Sequence, residues 1–413
     1  MHILFLSDNF PPEVNAPASR TFEHAREWVR AGHRVTVVTC APNFPDGQLY
    51  KGYENRIVGR ETIDGIETVR VWTYMTANEG ILRRTLDYSS FMVSATMAAP
   101  FVSRADIVVA TSPQFFTAIA GYMVSRMLRL PFVFELRDMW PEAIRAVGAL
   151  RQGTIYTLLE KIEQFLYRKA DSIVSVTNSF RGMLIDRGID GNKIHVITNG
   201  VDLTRFQPQA RDKNLTDRLG LTGKFVAGYV GTHGMAHGLE TLLDAAAILQ
   251  DQGRNGIRLL LLGSGAQKAR LKQRACTMQL DNILFLDTVS RTEVPRYWSL
   301  LDASIIHLRD NALFSAVIPS KLFESMAMGL PVLHGVRGES AQILEESNAG
   351  LLFAPGNCHE LAANLSRMAD DESLRTRLGA SGIKAAVGYN RKILARQMLN
   401  ILESVVSEPG KSR

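Results

Sequence analysis

Residues 224–246, KFVAGYVGTHGMAHGLETLLDAA, decide how this chain folds. Phe225–Val230 is a near-continuous apolar run, the pattern of a parallel strand buried on both faces. Glycines at 228, 231, 234 and 238 mark its end and the loop that follows, and Gly238–Gln252 then takes up a helical period. Strand, glycine-rich loop and helix in that order open a Rossmann-like unit, and here they open one for the second time. Upstream, short β-branched runs predict strands at Ile3–Ser7, Arg34–Thr39, Glu67–Tyr74, Ile107–Thr111, Phe132–Leu136, Ser172–Thr177 and His195–Thr198. Amphipathic stretches such as Ser19–Ala31 and Gln152–Lys169 lie between them. Downstream come Arg258–Leu262, Ile283–Leu286, Ala303–Leu308, Pro331–His334 and Gly350–Phe353, with helical patterns at Ala266–Leu280, Ser320–Met328 and Glu360–Asp370.

This alternation predicts an α/β protein of two Rossmann-like domains with parallel sheets and right-handed crossovers, facing a central cleft. The polar, turn-rich segment 199–223 separates them. The expected division is 1–205, 206–390 and a last helix within 391–413 that packs back across the boundary. Ligands in such sheets bind beyond the carboxyl ends of the strands, so the informative residues belong to the loops found there.

The 413 residues are 46% hydrophobic and 21% charged, enough for two cores, which excludes a disordered or fibrous chain. Cys40, Cys276 and Cys358 are far apart and form no CxxC, so neither a zinc nor a dithiol motif is visible. The N-terminal MHILFLSD lacks a basic region and does not read as a signal peptide. Tyr88–Val102 is too short and interrupted to span a bilayer. The net charge of +6 is spread over both halves, which argues against nucleic acid.

Several loops could carry chemistry. Asp8–Arg20 has three prolines and no GxGxxG, which argues against a dinucleotide grip on the first strand. Asn15, Ala16, Pro17 and Arg20 could meet a ligand at the following helix start. Strand Phe132–Leu136 runs into RDMWPE, where Asp138 and Glu142 could bind a sugar hydroxyl or accept a proton and Arg137 could hold an anion. The same residues would also serve as an ion pair with a helix cap. In the second half, Gly231, Thr232 and His237, then Gly263 and Gly265, lie in loops whose backbone could approach a phosphate, with Val289 in the loop after the next strand. No GK[ST] ending disfavours an ATPase, and His233 with His237 lacks an HExxH frame. Ser320, Lys321, Leu322 and Glu324 share a helix start, with Arg309 upstream. Hydroxyl and amine there would suit phosphate, and the carboxylate would suit ribose hydroxyls. An N-cap with an i,i+3 ion pair is the plainer reading of the same four residues.

Taken together, these motifs resemble the retaining glycosyltransferases of family 4, of GT-B fold. NGVDLTRF (199–206) resembles the family's PNGVD-x-x-x-F, AGHRVTVVT (31–39) its second strand, and SKLFESMAMGLPVL (320–333) its LEAMAxGxPV helix and strand. PPEVNAPASR and RDMWPE resemble a subgroup that builds bacterial surface polysaccharides, including O-antigen enzymes that transfer N-acetylated amino sugars such as N-acetyl-fucosamine. The resemblance makes Glu324 the second glutamate of the E-x7-E motif, which binds the donor ribose. The first glutamate falls at Ala316, the family's phosphate-binding arginine and lysine at Thr232 and His237, and the histidine of its HD pair at Arg137, while Asp138 keeps the acid. Lys321 is the candidate replacement for the missing phosphate ligands, with Arg309 second.

The resemblance implies a nucleotide-diphosphate-sugar donor, UDP-linked, and a polyprenyl-diphosphate-linked glycan acceptor. It implies no cofactor and no metal, in keeping with the lack of a DxD motif. Ile81–Arg104, with Arg83, Arg84 and Arg104 among apolar residues, could lie on anionic lipid and place the protein at the cytoplasmic face of the inner membrane. A nucleotide-sugar 2-epimerase or a non-catalytic nucleotide-sugar-binding protein would use the same architecture.

Overall fold

The computed structural model describes residues 1–44, 46–76, 81–102, 104–112, 114–146, 153–290 and 292–407. Gln152, Ser103 and residues 408–413, which fall within expected segments, lie outside the described residues. The chain divides into two compact units, Met1–Thr198 with Arg391–Arg413, and Asn199–Asn390.

The first unit is an eight-stranded sheet: β1 (His2–Leu6), β2 (Arg34–Cys40), β3 (Val58–Ile63), β4 (Ile66–Val71), β5 (Ile107–Thr111), β6 (Phe132–Leu136), β7 (Ser172–Ser175) and β8 (Ile194–Val196). Their order is β3-β4-β2-β1-β5-β6-β7-β8, parallel except for β3 against β4. The second unit holds β9 (Phe225–Val230), β10 (Ile257–Leu262), β11 (Ile283–Leu286), β12 (Ala303–His307), β13 (Val332–Gly335) and β14 (Gly350–Leu352). All six are parallel, in the order β11-β10-β9-β12-β13-β14. Every residue of β1, β5 and β6 is buried, as apolar runs covered by helices on both faces demand.

β3 is the strand that apolar runs do not announce. VGRETI alternates exposed and half-buried residues along a sheet edge, so it has no hydrophobic stretch. Its signal is the Asp64-Gly65 pair, both left-handed at φ 49° and 81°, the two-residue hairpin turn that Asp-Gly favours.

The units join at Thr198–Asn199, seven residues before the expected Arg205 boundary. The reason is local: Val201 bridges to Asn390, its N–H donates to the Tyr389 carbonyl at 2.9 Å, and Asn199 Nδ2 donates to the Ile318 carbonyl at 3.0 Å. The Arg391–Ser407 helix belongs to the first unit. Trp28 Nε1 donates to the Ala395 carbonyl at 2.8 Å, and Arg391 pairs with Glu23. Leu394, Met398, Leu399 and Leu402 complete the core around Phe5, Val37 and Val109. The second core gathers Leu242, Leu243, Leu259, Leu261, Ile305 and Leu365 on one side of its sheet.

These orders bring loops together. The ends of β1, β5 and β6 are neighbours in one sheet, and those of β10, β9 and β12 in the other. Among the described residues no helix is long and apolar enough to cross a membrane.

Candidate active site

In the second unit, the loops after β9 and β10 lock backbone against backbone. His233 N–H donates to the Ser264 carbonyl at 2.8 Å, and Gln267 N–H to the His233 carbonyl at 2.9 Å. A Cβ at Gly263 (φ 143°) would fall 2.0 Å from the Gly231 carbonyl oxygen, and one at Gly265 (φ 151°) 2.6 Å from that of His233. Only glycine fits either place. Lys268 fastens the base of the second loop, its Nζ donating to Gly263 O, Leu286 O and Asp287 Oδ1 at 2.6–2.7 Å.

Lys321, ninety residues downstream of Gly231, rises beside this loop. Its Nζ stands 3.8 Å from the centre of the Tyr229 ring, and would be 2.7 Å from a Cβ at Gly231. Tyr229 is itself fixed, its hydroxyl donating to the Thr232 carbonyl at 2.8 Å. Burial pushes the Lys321 amine down to about 7, opposed by the Glu324 carboxylate one turn on. Burial and the same lysine push His237 down to about 3. His307 steadies the far end of the loop. Its Nδ1 donates to the His237 carbonyl at 2.7 Å, and Gly356 N–H donates to its Nε2 at 2.9 Å. Arg309, half-exposed, donates its N–H to Ala236 O at 2.9 Å and sets its guanidinium 3.6 Å from Glu240. The result is an ammonium group at a glycine loop with a carboxylate close by, an arrangement that can hold a diphosphate and a diol together.

In the first unit, Ser112 after β5 organises the turn after β6. Its Oγ accepts the N–H groups of Arg137 at 2.7 Å and Asp138 at 3.2 Å. Burial pushes Asp138 up to about 6, with Arg137 pulling against it, and pushes Arg137 down to about 10. Asp138 is thus set to hold or release a proton near neutrality. Trp140 stacks on Phe115 at 4.8 Å and closes the turn.

Two domain families account for nearly all of this chain. Residues 18–205 match Glycosyltransferase Family 4, and 211–385 match Glycosyl transferases group 1. The chain is a glycosyltransferase. It is similar to WcaI of Escherichia coli, whose name places it as a glycosyl transferase of colanic acid biosynthesis, at 27% identity over 80% of this chain and 82% of that one. It is also similar to the GDP-mannose-dependent alpha-mannosyltransferase of Mycobacterium tuberculosis, at 24% identity over 98% and 97%. Among solved structures, Anabaena HepE in complex with UDP and glucose superposes with a TM-score of 0.75, 19% identity, and coverage of 97% and 99%. That likeness is one of fold, the GT-B pair of α/β domains.

The transferase does not bring every candidate residue to these two places. Gly231, Thr232, His237, Arg309, Ser320, Lys321 and Glu324 gather at one loop cluster. Leu322 is fully buried and its N–H donates to Pro319 O at 3.0 Å, so it is core rather than donor contact. Gly263 and Gly265 serve loop-against-loop packing. Val289 follows the outer strand β11, two strands away from β9. Ala316 is buried in a turn at Phe314–Ala316.

Two first-unit assignments are corrected. Arg20 is 3% exposed and engages all three guanidinium nitrogens internally, on Glu135 at 2.7 Å and the carbonyls of Thr198 and Ile197 at 2.7 and 2.9 Å. Glu142 is paired with Arg187, which also reaches Glu163 at 3.4 Å, and so anchors the Asp138 turn instead of serving it. Asn15 caps the Ala16–Arg30 helix, accepting from Ala18 N–H at 2.9 Å, while Pro17 lines a small pocket with Asp8 and Ser112. Ala16 is exposed at the helix start. Ser112 was missed, although a polar TS at the end of an apolar strand was its signal. Among the described residues no group of three or more His, Cys, Asp or Glu is placed to hold a metal ion.

Proposed function

We propose that the protein transfers a sugar, with retained configuration, from a nucleotide-diphosphate donor to a lipid-linked glycan during bacterial surface-polysaccharide synthesis. The observation that carries this is Lys321 standing against Gly231 with Glu324 one turn on. In this reading Lys321 neutralises the departing diphosphate without a metal, Arg309 assists, and Glu324 takes the ribose hydroxyls. Asp138 and Arg137 position the donor sugar or the acceptor, and departure and attack occur on one face of the sugar. WcaI supports the polysaccharide setting. HepE, solved with UDP and glucose, supports a uridine donor; the resemblance of PPEVNAPASR and RDMWPE to amino-sugar enzymes supports an N-acetylated amino sugar as the moiety transferred. Neither domain family favours an epimerase or a non-catalytic binder.

The acceptor's lipid would bring the protein to the cytoplasmic face of the membrane. In support, the Ile81–Ala98 helix and the turn after it expose Leu86, Val93, Met97 and Phe101 along one side, beside Arg83. The deciding experiment is a thermal-shift screen of nucleotide sugars followed by turnover with the labelled donor. Lys321→Ala and Glu324→Ala should each lower kcat/KM by about 100-fold or more, as loss of charge-assisted contacts at a leaving group does. Unchanged turnover in both would reject the site.

A further inference from the structure

The first unit contains a pocket that the reaction as described leaves unused. It opens where β1 and β5 end side by side, and Asp8, Pro17, Thr111, Ser112 and Gln114 line it. There is room for one water-sized group. Its wall includes Ser112, whose Oγ holds the Asp138 turn, so pocket and turn share a residue.

Open acceptors outnumber open donors in the lining, where the Ser112 hydroxyl hydrogen is the one hydroxyl donor not yet assigned. Asp8 Oδ2 accepts from Asn9 Nδ2 at 3.1 Å and from Gln114 Nε2. Thr111 Oγ1 donates to Ser112 O at 2.9 Å and Ser7 Oγ to Asn9 O at 2.9 Å, so these hydroxyl protons are already in use. Asp8 Oδ1 and Gln114 Oε1 are left buried without a partner, and both are acceptors. Turning the Gln114 amide would set its oxygen against Asp8 and leave Nε2 unpartnered in its place, so one buried polar atom of the amide stays open in either orientation. Burial, with Asp87 and Glu13 near, raises the Asp8 carboxyl above its ordinary range against the Cys40 thiol and the Gln114 amide, so a donor seated beside it would also favour its ionised form. Buried acceptors without partners are uncommon in folded proteins, and a donor that reached them would recover the hydrogen bonds they lack.

We propose that Asp8 and Gln114 form a subsite for one hydrogen-bond donor, a hydroxyl or protonated amino group, on the acceptor sugar. Naming the ligand as the acceptor rests on the transferase reading above; the donor-accepting character of the pocket does not. A group seated there would be fixed beside the Asp138 turn, and the pocket would select acceptors by the presence of that one group.

The test is binding of simple glycosides to the full chain, read by saturation-transfer NMR. The probes are methyl β-glucoside, methyl β-N-acetylglucosaminide and methyl β-glucosaminide, and UDP binding is measured in parallel. At least one glycoside should bind the natural protein, and Asp8→Asn should weaken it at least tenfold and Gln114→Met at least fivefold, with UDP affinity unchanged. Preference for the glucosaminide identifies an ammonium ligand; equal binding of all three identifies a hydroxyl. Thermal unfolding confirms that each variant is folded, and either one suffices for the comparison. If no probe binds, or if folded variants bind within twofold of the natural protein, the subsite is rejected. Failure of UDP to bind, with Asp8-dependent glycoside binding intact, would instead reject the nucleotide-sugar reading alone.

Discussion

Lys321 is an amine held near 7 by burial, so its charge depends on pH in the neutral range. Below 7 it is protonated; above, it empties. A bound diphosphate favours the charged form and raises the amine back toward its ordinary value, so binding takes up a proton. UDP affinity should therefore fall by about five- to tenfold per pH unit between roughly pH 7.5 and 9. Calorimetry in buffers of different ionisation heat should show proton uptake. Lys321→Met should bind weakly at every pH, with no slope; a slope that survives this substitution would assign the proton elsewhere. Arg20 makes the opposite kind of prediction. All three of its guanidinium nitrogens are engaged inside the fold, so Arg20→Met should act on stability, costing about 3–5 kcal/mol by stranding the buried Glu135 carboxylate. Denaturant unfolding measures this, and at temperatures where the variant is folded UDP affinity should be unaffected.

Among elements, the paired loops after β9 and β10 bear the tightest constraint. Gly263→Ala would drive a methyl group into the Gly231 carbonyl, so it should destabilise the second unit by at least about 1–3 kcal/mol and weaken UDP binding by displacing Gly231 from Lys321. Unfolding curves and UDP titration should move together; a variant that loses stability but keeps full UDP affinity would show that the loop does not set the site. This element was easy to read, because glycines after an apolar strand have few other uses. β3 was not, since an exposed edge strand has no apolar run, and its Asp-Gly turn is the one local mark it carries. The Lys321–Glu324 helix start was legible from residue type and helical spacing. The spent state of Arg20 and Glu142 was not, because their partners Glu135, Thr198 and Arg187 lie 45 or more positions away and nothing local marks them. Ser112 and Asp8 escaped notice for the same reason: a serine that caps a neighbouring strand's turn looks like any loop serine until the strand order is known.

At the scale of the whole molecule, the two sheets follow from the restart at Lys224, and the place of the last helix follows from its apolar face. Leu394, Met398, Leu399 and Leu402 each contribute about 1.5–3 kcal/mol by burial, a sum comparable with the net stability of about 5–15 kcal/mol typical of a domain. Removing residues 391–413 should abolish the first unit's unfolding transition while the second keeps its own. Trp28 and Trp298, one in each unit, offer separate fluorescence reporters once the other tryptophans are replaced by phenylalanine. A single unchanged transition would mean that the helix is dispensable.

That same helix carries a consequence for biosynthesis. Trp28 emerges early from the ribosome, yet its partner Ala395 is made only after the whole of Asn199–Asn390. Trp28 and Ala395 are 367 residues apart, so at about 5–20 residues per second the delay is on the order of 20–70 s. The nascent chain thus finishes its middle before its beginning. Throughout that interval the face around Trp28 is unsealed, which makes it the natural place for a ribosome-associated chaperone to bind.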